Sequence, residues 1–174
     1  MVLAAYSSGT PAYGVGAGNA VIVVDKTADL ADAAEKIMLS KTFDLAAGCS
    51  CDNSLVIDES VYDQMLAELQ KVGAYLATPE EKTKLRKAIW PNWPDNLALN
   101  RDIVASPVEN IAKIAGITIP NGTKMILVEE DQTGAVTPFA GEKMSLVIAV
   151  YKSTDLDDAI RIVNENQAYS GAGH

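Results

Sequence analysis

Short apolar runs rich in β-branched residues alternate with longer amphipathic segments along most of this chain. The runs 20–24 and 54–57 are typical of strands that lie buried in a sheet. Between them we predict a helix that is capped by Thr27 and ends near Lys41. Its apolar stripe consists of Leu30, Ala34, Ile37 and Met38. Strands and helices in alternation predict an α/β layered domain, with a mostly parallel, twisted sheet flanked by helices.

The alternation continues after the second strand, with one irregular stretch. A helix is predicted over 59–72, and another begins at Thr78, where a Thr cap precedes Pro79 and two acidic residues. Proline ends that helix by Trp90, so 91–106 are predicted as a long connection. The remaining predicted elements are a helix over 107–115 stopped by Gly116, strands over 124–128 and 146–151, and a helix over 155–166.

Charge and apolar content restrict the classes of function. The 174 residues include 14 Lys and Arg against 23 Asp and Glu, a net charge of −9, which argues against binding to nucleic acid or to an anionic membrane. Hydrophobic residues make up 48% and charged residues 21%, as in a packed globular domain. No apolar run reaches the roughly 18 residues of a membrane span, and the N-terminus lacks signal-peptide features. We therefore expect a cytoplasmic protein with reduced thiols.

Two segments carry candidate chemistry, and the first is rich in glycine. Gly14, Gly16 and Gly18 stand at alternate positions, where successive backbone N–H groups could cradle a phosphate. The spacing differs from the G-x-G-x-x-G dinucleotide fingerprint, and the strand follows the glycines instead of preceding them. The residues alone therefore favour a turn that packs closely or passes a ligand.

The second segment contains two cysteines, Cys49 and Cys51. Small residues before Cys49 leave room for a substrate to approach its thiol, and a cysteine needs only a modestly lowered pKa to act as a nucleophile. On chemistry alone, a small buried apolar residue is the more common role of such a cysteine. No metal site is expected, because there is no second cysteine pair and the only histidine is His174.

Four segments carry a further signal when they are taken together. They are AYSSGTPAYGVGAGN over 5–19, SKTFD over 40–44 followed by Cys49 and SLVID, EKMS over 142–145, and GH at 173–174. In this order they resemble the catalytic domain of CoA-acylating aldehyde dehydrogenases, from the segment that leads into it to a Gly-His near its end. The matches are collinear and span the whole chain. The resemblance therefore implies an aldehyde dehydrogenase catalytic (cysteine) domain over residues 1–174.

The resemblance implies a mechanism and site residues. Cys49 takes the position of the nucleophile that attacks an aldehyde; the resulting thiohemiacetal gives up a hydride to NAD or NADP, and the thioester passes to coenzyme A. Cys51 stands where relatives often have a serine or other small residue. Glu142 takes the position of the glutamate that binds the nicotinamide ribose, and Gly14 and Gly16 are expected beside it in the cofactor site. Gly14 stands where hydrolytic members have a water-activating glutamate, which favours acyl transfer to coenzyme A.

The same resemblance implies what this chain lacks and where it departs from the pattern. The family's nucleotide-binding domain, including an asparagine of the oxyanion hole, is expected to be absent from this chain, so the chain alone is expected not to oxidise aldehydes. The full-length enzyme is expected to be a homo-oligomer. Residues 45–48 differ from the N-G-x-I-like run of many relatives, and Leu146 replaces the usual proline. Both departures concern the choice of substrate more than the class of enzyme.

The aldehyde itself and one alternative function stay open at this stage. Acetaldehyde is the generic substrate of the family, and sulfoacetaldehyde and succinic semialdehyde are anionic alternatives. Candidate partners for an anionic group are Lys41, Lys143 and Arg101. The alternative is a non-catalytic acyl- or partner-binding domain of the same fold, in which Cys49 is only structural.

Overall fold

Five parallel strands form one sheet in a computed structural model, which describes residues 2–13 and 18–169. The strands are β1 (Ala20–Val24), β2 (Asp52–Asp58), β3 (Ala74–Leu76), β4 (Met125–Glu129) and β5 (Val147–Ser153). Their order across the sheet is β1-β2-β5-β4-β3, and all four ladders are parallel. The prediction of an α/β domain with a mostly parallel sheet is confirmed.

Helices cover both faces of this sheet. The α-helices of the described residues are α1 (Val2–Tyr6), α2 (Leu30–Thr42), α3 (Tyr62–Lys71), α4 (Pro79–Ile89), α5 (Val108–Ala115) and α6 (Leu156–Tyr169), of which α2 to α6 pack on the sheet. The buried side chains of α2 and α3 pack on one face with Leu55 and Ile57 of β2. Those of α4, α5 and α6 pack on the other face with Val56. The central strands are therefore buried on both sides, which explains why they read as nearly continuous apolar runs.

Helix α2 begins later than predicted, because a different residue caps it. The Asp29 side chain accepts a hydrogen bond from the backbone N–H of Asp32 at 3.2 Å and is the N-cap of α2. The Thr27 hydroxyl instead donates to the Asp25 carboxylate at 2.7 Å within the preceding turn. The prediction of Thr27 as the cap was therefore wrong, since two capping-type residues compete within three positions.

Two strands differ from the sequence prediction. Strand β1 lies at the sheet edge, and its Val23 is 41% exposed, so the fully buried strand that its composition predicts is not observed. Strand β3 was missed, because three residues are too few to establish a period. It pairs only with β4, and Gly73 before it has a φ of 103°, a turn conformation that favours glycine.

The N-cap of α4 and the C-terminal end of α5 were predicted correctly from the residues at these positions. Thr78 forms a capping box with Glu81, in which each side chain accepts a hydrogen bond from the other residue's backbone N–H. Gly116 ends α5 in the left-handed conformation with a φ of 66°. Residues 91–106 contain neither helix nor strand, as predicted.

We expect Thr78→Ala to lower the free energy of unfolding by about 1 kcal/mol, because it removes the cap of α4. Thr83→Ala, in the exposed middle of the same helix, is the matched control and is expected to change stability by less than about 0.5 kcal/mol. Urea denaturation measures both. Equal effects of the two substitutions would contradict the assignment of the cap.

Candidate functional site

Three segments that the sequence singled out precede three neighbouring strands. Gly18 and Asn19 come before β1, Cys49 before β2, and Glu142 before β5. Strands β1, β2 and β5 are adjacent and parallel, so their amino ends lie at one edge of the sheet, which we call the amino edge. The fold therefore brings together residues that are far apart in the chain.

The Cys49 loop, residues 43–51, connects α2 to β2 through an unusual backbone. Asp44, Leu45 and Ala46 have φ values of 47°, 53° and 62°, the left-handed region that residues other than glycine rarely adopt. Backbone hydrogen bonds from Ala47 to Asp44 and from Cys51 to Gly48, both 3.0 Å, close the loop. Cys49, near the end of this loop, is an exposed residue with a free thiol. Strain of this kind is concentrated at functional sites in proteins.

The glycine-rich segment packs directly against the Cys49 loop. A Cβ atom built on Gly18 would lie 2.7 Å from the carbonyl oxygen of Cys49, a distance that side chains do not tolerate. The neighbouring Asn19 is buried, and its Nδ2 donates to the carbonyl oxygens of Ala140 at 2.8 Å and Asn166 at 3.3 Å. Gly18 is therefore needed for a close backbone approach, as one of the two sequence-based interpretations proposed.

Asn53 and Lys143 join the Cys49 loop to the Glu142 loop, residues 140–145. The backbone N–H of Lys143 donates to Oδ1 of Asn53 at 3.0 Å, and Nδ2 of Asn53 donates to the carbonyl oxygen of Cys51 at 3.2 Å. Lys143 Nζ donates to the carbonyl oxygens of Asn53 and Gly141, each at 2.9 Å. Together with the contacts of Gly18 and Asn19, these bonds link all three loops of the amino edge.

A second lysine, Lys41, lies beneath the Cys49 loop. Its Nζ donates to the carbonyl oxygen of Asp52 at 2.6 Å and contacts the Sγ atom of Cys51 at 3.3 Å. Cys51 is buried, in contrast to Cys49. Burial lowers the pKa of the Lys41 ammonium, and Cys51 opposes this shift. Burial also lowers the pKa of Lys143 well below its usual value, and the nearby Lys41 lowers it further.

The burial of these lysines corrects their assignment as partners of an anionic substrate. Lys41 and Lys143 both have no exposed surface, and their ammonium groups are turned to main-chain carbonyls. Arg101 is exposed, in the irregular stretch between α4 and α5. Of the three basic candidates, only Arg101 presents its side chain at the surface.

Glu142 is half-buried beside a small cavity. Burial raises the pKa of its carboxyl, and Lys143 opposes this rise. The cavity has a volume of about 180 Å³ and is lined by Trp90, Leu97, Leu99, Pro138, Gly141, Glu142 and Tyr169. A second cleft, of about 240 Å³, is lined by Leu39, Ser40, Phe43, Gly48, Ser50 and Cys51. One concave surface is thus lined by Glu142, and the other by Gly48 and Ser50, the sequence neighbours of Cys49, together with Cys51.

The structure leaves part of the predicted site undescribed. Gly14, Gly16 and His174 lie outside residues 2–13 and 18–169. Within those ranges, no three His, Cys, Asp or Glu side chains lie close enough together to hold a metal ion. A search of the same ranges finds no helix with the length and apolarity to cross a membrane.

Comparison with known proteins supports the resemblance to aldehyde dehydrogenases. The family model described as "Aldehyde dehydrogenase family" matches residues 6–84. A protein of Bilophila wadsworthia named "Sulfoacetaldehyde dehydrogenase (acylating)" is 49% identical over 175 residues and matches 100% of this chain. Over its whole length, this chain is similar to members of the aldehyde dehydrogenase family. It spans 38% of the length of that relative.

Solved structures of the family agree with this assignment. An acetylating aldehyde dehydrogenase from Geobacillus thermoglucosidasius has a TM-score of 0.91 at 39% identity, covering 99% of this chain and 37% of its own. A propionaldehyde dehydrogenase from Rhodopseudomonas palustris, solved with bound CoA and an acylated cysteine, has a TM-score of 0.82 at 26% identity. That match covers 95% of this chain and 37% of the other. The resemblance to acylating aldehyde dehydrogenases is confirmed.

Sequence reasoning missed two residues that link the loops of the amino edge, Asn19 and Asn53. Asn19 directly precedes β1, Asn53 is the second residue of β2, and both are buried. A buried amide needs hydrogen-bond partners, so this position itself was the signal. The partners are about 90 to 150 positions away in sequence, which no local pattern reveals.

We expect Gly18→Ala to displace the Cys49 loop, because its Cβ would meet the Cys49 carbonyl oxygen at 2.7 Å. The predicted cost is about 1–3 kcal/mol of unfolding free energy, with a changed rate of Cys49 alkylation by iodoacetamide. The matched control is Gly48→Ala, whose Cβ would meet nothing closer than the Ser50 hydroxyl at 3.8 Å. Similar results for both variants would contradict the close approach.

The lowered pKa of Lys143 predicts a pH dependence of stability. Between its folded pKa and the ordinary value of 10.5, this lysine binds more protons in the unfolded chain than in the folded one. Its contribution to stability therefore rises with pH in this window and is lost as the pH falls. Lys143→Met is expected to make the rise in unfolding free energy from about pH 7 to pH 10 shallower, as measured by urea denaturation.

Lys87→Met is the control for this measurement, because Lys87 is exposed on α4. Its stability curve is expected to run parallel to that of the unaltered protein. A Lys143→Met curve that also runs parallel would show that burial does not shift the Lys143 pKa.

Proposed function

We propose that this chain is the catalytic domain of a CoA-acylating aldehyde dehydrogenase, with Cys49 as its nucleophile. The thiolate of Cys49 attacks the carbonyl carbon of a short aldehyde and forms a thiohemiacetal. Loss of a hydride from that carbon leaves a thioester on Cys49, and the thiol of coenzyme A then displaces the cysteine to give the acyl-CoA. The observation that carries this proposal is an exposed cysteine in the Cys49 loop, against which the backbone of Gly18 packs closely.

The contrast between the two cysteines supports the choice of Cys49. Cys51 is buried, its sulfur contacts Lys41 Nζ at 3.3 Å, and only a small part of it lines the cleft of about 240 Å³. Cys49 has an exposed side chain, which a purely structural packing role would not require. The alternative function, a binding domain with a structural Cys49, therefore has no observation in its favour among the described residues.

Glu142 is proposed as the residue that binds the nicotinamide ribose of NAD or NADP. Its carboxylate is half-buried beside the cavity of about 180 Å³, where it could accept hydrogen bonds from ribose hydroxyls. A bound nicotinamide would supply the hydride acceptor. We place Gly14 and Gly16 in the same cofactor site on the family resemblance alone.

The same resemblance favours coenzyme A over water as the acyl acceptor. Gly14 has no side chain to act as the base that hydrolytic relatives use, so the thioester on Cys49 is expected to persist until a thiol arrives. The relative solved with CoA and an acylated cysteine is consistent with this order of events. We do not propose a metal cofactor.

The substrate is proposed to be a short aldehyde, with acetaldehyde and sulfoacetaldehyde as the first candidates. The name of the Bilophila relative and that of the Geobacillus structure support these two. A sulfonate needs cationic or N–H donors, and Lys41 and Lys143 are buried away from solvent. Specificity for sulfoacetaldehyde would therefore depend on exposed groups such as Arg101 or on parts of the enzyme beyond these residues.

Acyl transfer tests the role of Cys49 without a nicotinamide cofactor. Incubation with acetyl-CoA is expected to transfer one acetyl group to Cys49 and release CoA, which peptide mass spectrometry detects. Cys49→Ser should abolish this product, whereas the matched variant Cys51→Ser should retain it. Acetylation of Cys51, or equal labelling of both cysteines, would contradict the proposal.

Aldehyde oxidation by this chain alone is a separate expectation. The chain spans 38% of the length of its acylating relative, so we propose that residues 1–174 lack the nucleotide-binding domain. We expect no NADH formation from acetaldehyde, CoA and NAD, measured by absorbance. Formation at the rate of a full-length relative would show that the chain needs no further domain.

A further inference from the structure

We infer that Asn53 and Lys143 are positioning residues that fix the Cys49 loop relative to the Glu142 loop. This inference rests on the proposed function, because it concerns the geometry between the proposed nucleophile and the proposed ribose ligand. Neither side chain is exposed, so neither can touch a substrate directly. Their role would be to act through the two loops they connect.

The Asn53 side chain connects the loops with both ends of its amide. Its Nδ2 donates to the carbonyl oxygen of Cys51, at the end of the Cys49 loop, at 3.2 Å. Its Oδ1 accepts from the backbone N–H of Lys143 at 3.0 Å. A planar amide holds these two contacts at a fixed separation, so a movement of one loop is transmitted to the other.

The Lys143 side chain closes the Glu142 loop on itself. Its Nζ returns to the carbonyl oxygen of Gly141, the residue on the other side of Glu142, and also reaches that of Asn53. The backbone on both sides of Glu142 is thereby held to the start of β2. The orientation of the Glu142 carboxylate is consequently tied to the strand that follows Cys49.

Stability alone does not explain this arrangement. Lys143 is fully buried, and it forms no ion pair with a carboxylate of the described residues. A buried ammonium is costly to desolvate, and an apolar side chain of similar length would avoid that cost. What the lysine and the asparagine provide is directional restraint, which apolar packing does not supply.

The experiment compares Lys143→Met with Lys87→Met, the same change at an exposed site. Hydrogen exchange is followed in peptides over 48–53, over 139–145 and in α3, which has no part in these contacts. We expect Lys143→Met to speed exchange about tenfold in both loop peptides, and not in α3, since it removes two hydrogen bonds. Lys87→Met should change none of the three.

Asn53→Asp gives a second, asymmetric test. The new carboxylate can still accept the hydrogen bond from the Lys143 N–H, but it cannot donate to the Cys51 carbonyl. Hydrogen exchange should therefore become faster over 48–53 and stay unchanged over 139–145. The pH profile of Cys49 alkylation by iodoacetamide should move in both Asn53→Asp and Lys143→Met, and not in Lys87→Met. A residue that only supported global stability would not move this profile.

Three results would overturn the inference. The first is that Lys143→Met speeds hydrogen exchange only over 139–145. The second is that both variants speed exchange in α3 as much as in the loop peptides. The third is that neither variant changes the pH profile of Cys49 alkylation. If Lys143→Met does not fold, Asn53→Asp decides alone on the same readouts. None of these readouts requires acyl transfer, so the proposed function can fail at Cys49→Ser while the coupling of the loops holds.

Discussion

Two lysine ammonium groups are fully buried at the amino edge, where they donate hydrogen bonds to main-chain carbonyls. Lys41 reaches the carbonyl of Asp52 at the end of the Cys49 loop, and Lys143 reaches the carbonyls of Asn53 and Gly141 beside Glu142. Loops carry backbone polar groups that strands and helices would otherwise pair, and these must be satisfied once they are buried. The lysine side chains supply donors to the carbonyl of Gly141 in the Glu142 loop and to those of Asp52 and Asn53 at the start of β2.

This construction explains how an unusual backbone persists before Cys49. Three consecutive residues other than glycine adopt left-handed conformations there, at a cost of roughly 1–2 kcal/mol each. The surrounding contacts must fix the loop from outside, and Gly18 does so from one side through the Cys49 carbonyl oxygen. From the other side, Asn53 fixes the carbonyl of Cys51. An exposed thiol is thus presented on a backbone that has little freedom.

The sequence predicted those parts of the molecule that depend on neighbouring residues. The cap at Thr78, the stop at Gly116 and the central strands rest on local chemistry or on burial of whole runs, and the structure agrees with them. Strand β3 was missed because three residues are too few to establish a period. The predicted cap of α2 was wrong because Thr27 and Asp29 are both capping-type residues within three positions. The hydrogen bonds of Asn19 and Asn53 depend on partners that only the folded sheet brings near. Cys49 and Glu142 were proposed as site residues from the family resemblance, which does not depend on these contacts.

The position of Cys49 at the amino edge has an electrostatic consequence. In a parallel sheet the crossover helices run back against the strands, so α2 points its C-terminus, the negative end of its dipole, toward the Cys49 loop. The positive end of a helix dipole is therefore not what this fold places beside Cys49. The ammonium groups of Lys41 and Lys143 lie at the same edge, where they donate to the carbonyl oxygens of Asp52, Asn53 and Gly141. At this edge, positive charge is thus carried by buried side chains and not by the end of a helix.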